Sequence, residues 1–205
     1  MRIGIDFDNT IVRYDHVFAA EARTRGLIDQ DFLGTKTEIR DHIRTLSDGE
    51  TKWQRLQGRV YGALMADAEL IDGVGDFLTE GRKRNFDIFI VSHKTQFGHH
   101  DPDRVDLRQQ AKTWMEVHGF FDPSGYGLDP GNVFFAPTRA EKVARIEALG
   151  CTHFIDDLVE VFAEPDFPDE VRRALFHPAD NPPEGSFEVF RTWQDITDDF
   201  LGASR

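Results

Sequence analysis

"IGIDFDNTIV", Ile3 to Val12, starts as an apolar, β-branched run and finishes on two carboxylates one residue apart, Asp6 and Asp8, with Asn9 and Thr10 close behind. The apolar part predicts a short strand buried on both faces. A buried strand has no ordinary reason to end on two carboxylates, yet such a pair taken alone is more often a solvated turn or a helix cap than a catalytic pair, so its meaning depends on what else lies at the strand ends. Three further segments read the same way: "FDIFIVS" (Phe86 to Ser92), "NVFFAP" (Asn132 to Pro137) and "THFIDD" (Thr152 to Asp157). Helical patterns separate them: "GVGDFLTEGRKRN" before the second strand, Leu107, Ala111, Trp114 and His118 at helical spacing before the third, and Thr138 to Leu149 before the fourth. Thr138 with Glu141 has the form of a capping box. Strands alternating with helices of this length imply right-handed crossovers and a mainly parallel α/β sheet covered on both sides, with its ligand site at the carboxyl ends of the strands.

Residues 14 to 72 break the alternation. They offer no clear strand and three helical stretches, the best from Glu50 to about Leu70 with Trp53, Leu56, Val60 and Leu64 on one face. This reads as an inserted helical lobe, entered just after Thr10 and left through the flexible "DGVGD" (Asp72 to Asp76), and placed to cover a site at the first strand. The expected division is therefore a core of residues 1–13 and 73–205 with a cap of residues 14–72. Towards the end, "RRALFHP", the Pro-rich "ADNPPEG" and "FEVFRTWQDITDDFL" suggest a fifth strand, a loop, and a terminal strand or helix. The last 30 residues carry no chemical signature.

Bulk properties narrow the function classes. With 37 acids against 24 Lys and Arg, the formal charge of −13 argues against binding nucleic acid or an anionic membrane through charge neutralisation. The single cysteine, Cys151, excludes an internal disulfide framework and a multi-cysteine zinc site, and suits a reducing cytoplasm. The first ten residues already form strand and turn, so no signal peptide is expected, and no apolar run approaches the roughly 20 residues of a membrane span.

The polar residues at strand ends form a set: Asp6 and Asp8 after the first, Ser92 at the end of the second, Asp156 and Asp157 at the end of the fourth, with Lys142 in the helix before it. In a parallel sheet all converge on one edge. Several carboxylates together require a cation, and oxygen-only ligands select a hard one such as Mg²⁺.

In order along the chain, "DFDNT", Ser92 in "FIVS", Lys142 in "TRAEKVARI" and "FIDD" resemble the four motifs of the haloacid dehalogenase (HAD) superfamily. The resemblance covers residues 1 to 12 and 74 to about 177, and the insertion at 14–72 matches the place of that family's helical cap between motifs one and two. It implies a HAD-like Rossmannoid three-layer α/β sandwich with a mainly parallel sheet and a small inserted helical cap. It also implies a Mg²⁺-dependent phosphatase. By similarity, Asp6 is the nucleophile and Asp8 the general acid and base. Thr10, Ser92, His93 and Lys142 serve the phosphate, Thr10 by supporting the loop. Asp6, Asp156, Asp157 and the backbone carbonyl of Asp8 hold the metal. Asp8 favours phosphoryl transfer over dehalogenation, because a departing halide needs no proton.

The substrate expected is a small phosphomonoester, a sugar phosphate or a nucleotide whose base could stack on Tyr14, Phe18 or Trp53. Arg40, Arg44, Lys52, Arg55 and Arg59 decorate the cap and could steer an anion. Phosphotransferase and phosphonatase chemistry use the same apparatus, the latter with a cap lysine for which Lys36 and Lys52 are weak candidates. His93, Lys94, His99 and His100, with Asp101 and Asp103, could touch a substrate or bind a transition metal, but read first as a mobile polar loop. Exposed apolar residues on the cap leave room for a homodimer. A response-regulator receiver fails on motif order, since receivers place the phosphorylated Asp after the third strand. A non-catalytic protein that binds phosphate or metal on the same fold is the remaining alternative.

Overall fold

The computed structural model describes residues 1–202. In chain order the elements are β1 (Arg2–Ile5), β2 (Val12–Arg13), α1 (Asp15–Thr24), α2 (Lys36–Arg44), α3 (Gly49–Tyr61), β3 (Glu69–Leu70), α4 (Val74–Lys83), β4 (Asp87–His93), α5 (Leu107–Val117), β5 (Val133–Ala136), α6 (Arg139–Ala148), β6 (His153–Asp156), α7 (Val159–Phe162), β7 (Arg172–Phe176), β8 (Glu188–Phe190) and α8 (Trp193–Leu201). They form two compact units. One holds Met1–Val12, Leu70–Lys94 and the chain from His118 onward, and the other holds Arg13–Glu69 and Thr95–Val117.

The first unit is built on a six-stranded sheet of order β5-β4-β1-β6-β7-β8, every neighbouring pair parallel. From β1 the chain runs outward to β4 and β5, then returns to the other side of β1 as β6. The order thus reverses at β1, the kind of switch point at whose carboxyl ends open α/β sheets place their ligands. Gly4 has a packing reason in this otherwise β-branched strand. It is level with Phe154 of β6, and a Cβ on it would lie 2.7 Å from Phe154 Cε2 and 3.2 Å from Cys151 Sγ. One face of the sheet packs Phe89, Val91, Phe154 and Leu175 against Val143 and Ile146 of α6 and Val161 and Phe162 of α7. Elsewhere α4 and α8 pack together, with the Phe77 and Trp193 ring centroids 5.0 Å apart.

The second unit is helical. α2 begins with a complete capping box between Thr35 and Glu38, whereas at α6 Thr138 accepts from the Glu141 N–H without a reciprocal bond among the described residues. α3 ends at Tyr61, earlier than its apolar periodicity suggests, with Gly62 as its C-cap. The unit also takes in residues 95–117, which the sequence reading assigned to the sheet core. The reason is local. Gly58 of α3 has no side chain, so the loop backbone at Gly98 approaches so closely that a Cβ there would lie 2.6 Å from Gly58 Cα. Trp114 Nε1 of α5 then donates to the Ala68 carbonyl at 3.0 Å. No described helix is long and apolar enough to cross a membrane.

Candidate active site

The site begins with the turn after β1. Asn9 sits in the left-handed region at φ 60°, a conformation Asn tolerates better than most residues. Its N–H donates to the Val12 carbonyl at 2.8 Å, while the Ile11 and Val12 N–H groups both donate to the Phe7 carbonyl. The chain therefore reverses tightly, with Asp6 and Asp8 on its incoming limb. Two bonds from distant sequence hold this limb and its exit: Asp6 N–H donates to the Ile155 carbonyl at 2.9 Å, and Trp193 Nε1 of α8 donates to the Thr10 carbonyl at 2.8 Å. The C-terminal segment thus braces the motif turn, a role with no local signal in the sequence.

Register then brings the other groups alongside. Ile5 pairs with Ile155 in β6 and with Ile90 in β4, so Asp156 comes level with Asp6 and Ser92 lies one residue beyond. Lys142 joins the acids. Its Nζ donates to Asp6 Oδ1 and to Asp156 Oδ2, each at 2.6 Å, and it is only 1% exposed. The ammonium also lies 5.3 Å from the centroid of the Phe154 ring, the ring that Gly4 accommodates. Asp156 Oδ1 accepts from the Leu158 N–H, and Asp157 Oδ2 accepts from Asn9 Nδ2 at 3.3 Å.

Lys142 alone cannot neutralise the two buried carboxylates it bridges and Asp157 beside them. Burial pushes the Asp6 carboxyl up to about 7; Lys142 opposes this, and Asp156 and Asp8 add to it. Burial alone would lower the Lys142 ammonium, but Asp156 and Asp6 outweigh it and hold the group above the ordinary lysine value. Oxygens of Asp6, Asp156 and Asp157 lie within 4.8 Å of one another. An all-carboxylate donor set with surplus negative charge fits a hard divalent cation. Beside it, Ser92 Oγ is buried without a hydrogen-bond partner among the described residues, as is Thr10 Oγ1. An orphaned buried hydroxyl is costly unless a ligand uses it.

Other expected residues fall elsewhere. His93 is exposed, and its Nε2 is 3.0 Å from the Pro137 carbonyl oxygen. Neighbouring residues on a strand point to opposite faces, so His93 diverges from Ser92. Lys94, read as part of a polar loop, is instead buried, with its Nζ 2.8 Å from Asp8 Oδ2. Tyr14, Phe18 and Trp53 are not available to stack a base: all three are buried, with Phe18 stacked on Trp53 at 5.1 Å and Tyr14 edge-on to Tyr61 at 4.9 Å. Lys36 Nζ lies over the Phe18 and Tyr61 rings. Arg40, Arg44 and Arg59 are ion-paired to Asp41, Glu50 and Glu21, which mutes any steering field. His99 and His100 are exposed and belong to no metal-type cluster among the described residues.

The fold is similar to that of solved HAD-family hydrolases. Solved structures of similar fold include a HAD family hydrolase from Deinococcus radiodurans R1 with bound phosphate and sodium (TM-score 0.65, 13% identity, 98% of this chain and 94% of that one). A HAD phosphatase from Thermococcus onnurineus aligns at TM-score 0.57 with 15% identity, over 100% of this chain and 99% of the other. A phosphoserine phosphohydrolase-like protein from Francisella tularensis aligns at 0.55 with 11% identity, over 96% and 98%. No protein-family model and no curated protein matches the chain by sequence.

Proposed function

We propose that the protein is a Mg²⁺-dependent phosphatase that hydrolyses a small phosphomonoester, a sugar phosphate or a nucleotide, through an aspartyl-phosphate intermediate on Asp6. The observation that carries this reading is the buried cluster in which Lys142 Nζ bridges Asp6 and Asp156 at 2.6 Å beside the unpartnered Ser92 Oγ. The bound phosphate of the Deinococcus neighbour is in keeping with it.

Asp6, Asp156, Asp157 and the Asp8 backbone carbonyl would hold Mg²⁺, which when bound lowers the negative charge on the phosphoryl oxygens. Lys142 keeps the Asp6 carboxylate oriented, and its N–H groups with Ser92 Oγ–H supply fixed donors where charge develops on the transferring group. Asp6 attacks phosphorus, and the bond from phosphorus to the ester oxygen breaks. Asp8 gives a proton to that departing oxygen. In the second half-reaction Asp8 takes a proton from the water that attacks the aspartyl phosphate, releasing phosphate and regenerating Asp6.

The test is phosphate release from nucleotides, sugar phosphates, phosphoserine and p-nitrophenyl phosphate with and without Mg²⁺, beside Asp6→Asn and Asp8→Asn. Magnesium-dependent turnover lost in both variants is the expected result. No turnover on any ester, with Mg²⁺ demonstrably bound, would overturn the reading.

A further inference from the structure

Lys94 follows β4 directly, two residues beyond Ser92. Its backbone N–H donates to the Ala136 carbonyl at 2.9 Å, so its starting point is fixed where β4 and β5 end. From there the side chain runs inward. Its Nζ lies 3.0 Å from Asp8 Oδ1 and 2.8 Å from Asp8 Oδ2, so a single ammonium engages both oxygens of one carboxylate. The two partners differ in burial: the Lys94 side chain is 3% exposed and that of Asp8 is 17% exposed. The lysine therefore stands on the protein side, and the carboxylate carries the edge nearer to solvent. The Phe7 ring, with its centroid 5.8 Å from Nζ, borders the ammonium.

A buried ammonium strands its charge unless an acceptor stays within reach, so the pair restrains the carboxylate as firmly as the lysine. An aspartate otherwise samples several staggered χ1 wells. Holding it in one of them before substrate arrives spares the reaction part of the orientation cost of proton transfer.

We infer that Lys94 is a positioning residue for the proton transfers of Asp8, fixing that carboxylate with its outer edge toward the departing ester oxygen. The inference rests on the phosphatase reading above. It separates Lys94 from Lys142, which bridges Asp6 and Asp156 and would act on the phosphoryl group itself.

Leaving-group dependence tests it. A nitrophenolate departs with little need of a proton, whereas phenolate and benzyl alkoxide need it progressively more. First-turnover release of the alcohol is followed by rapid quench, with Mg²⁺, for p-nitrophenyl, phenyl and benzyl phosphate. The proteins are wild type, Lys94→Met, Lys94→Arg, Asp8→Asn and the double variant Asp8→Asn/Lys94→Met, with thermal unfolding as the check of folding. The expected result for Lys94→Met is a loss of less than threefold on the nitrophenyl ester and of tenfold or more on the benzyl ester, within the range that general acid catalysis supplies. Lys94→Arg should recover most of the benzyl rate. In the Asp8→Asn background, removing Lys94 should change the benzyl rate by less than twofold, since the two residues act as one unit.

Equal losses on all three esters would make Lys94 a phosphate-binding or structural group and overturn the inference, as would no loss on any. In both cases magnesium-dependent wild-type turnover leaves the phosphatase reading standing. No release by the wild type from any ester overturns both. If Lys94→Met does not fold, Lys94→Gln, which is uncharged and too short to engage both Asp8 oxygens, carries the same comparison.

Discussion

The surplus charge around Asp6 has a measurable consequence for stability. Folding raises the Asp6 carboxyl from 3.8 to about 7, chiefly by burial. Between those two values the folded chain keeps a proton that the unfolded chain has released. The unfolded state then binds fewer protons, so stability falls as pH rises through the window. The contribution is fully present below pH 3.8 and lost above about pH 7. A tenfold change in an acid's dissociation constant is equivalent to about 1.4 kcal/mol, so the rise from 3.8 to about 7 corresponds to about 4 kcal/mol. Asp6→Asn has nearly the same shape and no titration. Urea unfolding of both proteins from about pH 4 to 8 in the presence of a chelator reads the contribution of Asp6 and its coupled neighbours, because carboxylates remote from it titrate in both and cancel in the difference. Wild-type stability minus variant stability should drop by about 4 kcal/mol across the window and level off near pH 7. A difference that stays flat within about 1 kcal/mol would show that Lys142 keeps Asp6 ionised throughout, and would refute the reasoning that burial outweighs the ion pair.

Lys142→Met removes the cation between two buried carboxylates and should cost about 3–5 kcal/mol at neutral pH, read from urea midpoints at unchanged slope. Burial pushes the Cys151 thiol up to about 11, so it should resist a thiol reagent at about pH 8 in the folded protein and titrate as one thiol in urea. Trp193→Phe keeps most of the ring packing but leaves the Thr10 carbonyl without its donor, and should cost about 1–3 kcal/mol in the same urea experiment.

The groups that were legible in the sequence are polar residues at the ends of apolar runs. Asp6, Asp8, Ser92 and Asp156 each terminate an apolar run, and a parallel sheet collects such termini on one edge. Lys142 was legible for a related reason, as the helix-to-strand spacing before Asp156 leaves it at the right level. What could not be read was set by packing between distant residues. Lys94 looks like a member of a polar loop until the β4 and β5 ends fix its backbone and Asp8 supplies its acceptor. Residues 95–117 follow a core strand in sequence, yet they join the helical unit because two glycines, Gly58 and Gly98, allow backbone contact. Tyr14, Phe18 and Trp53 carry the residue types of a base-stacking site, and only their mutual burial shows that they serve as core.

The bond from Trp193 Nε1 to the Thr10 carbonyl joins residues 183 apart. During synthesis the acidic turn is made well before its brace. At about 5–20 residues per second the interval is roughly 10–40 s. Through that time the turn must wait on the ribosome without its far anchor, and with Lys142 also still to come for most of it. A ribosome stalled between the two therefore holds a chain whose acidic turn is complete in sequence and still unbraced in space.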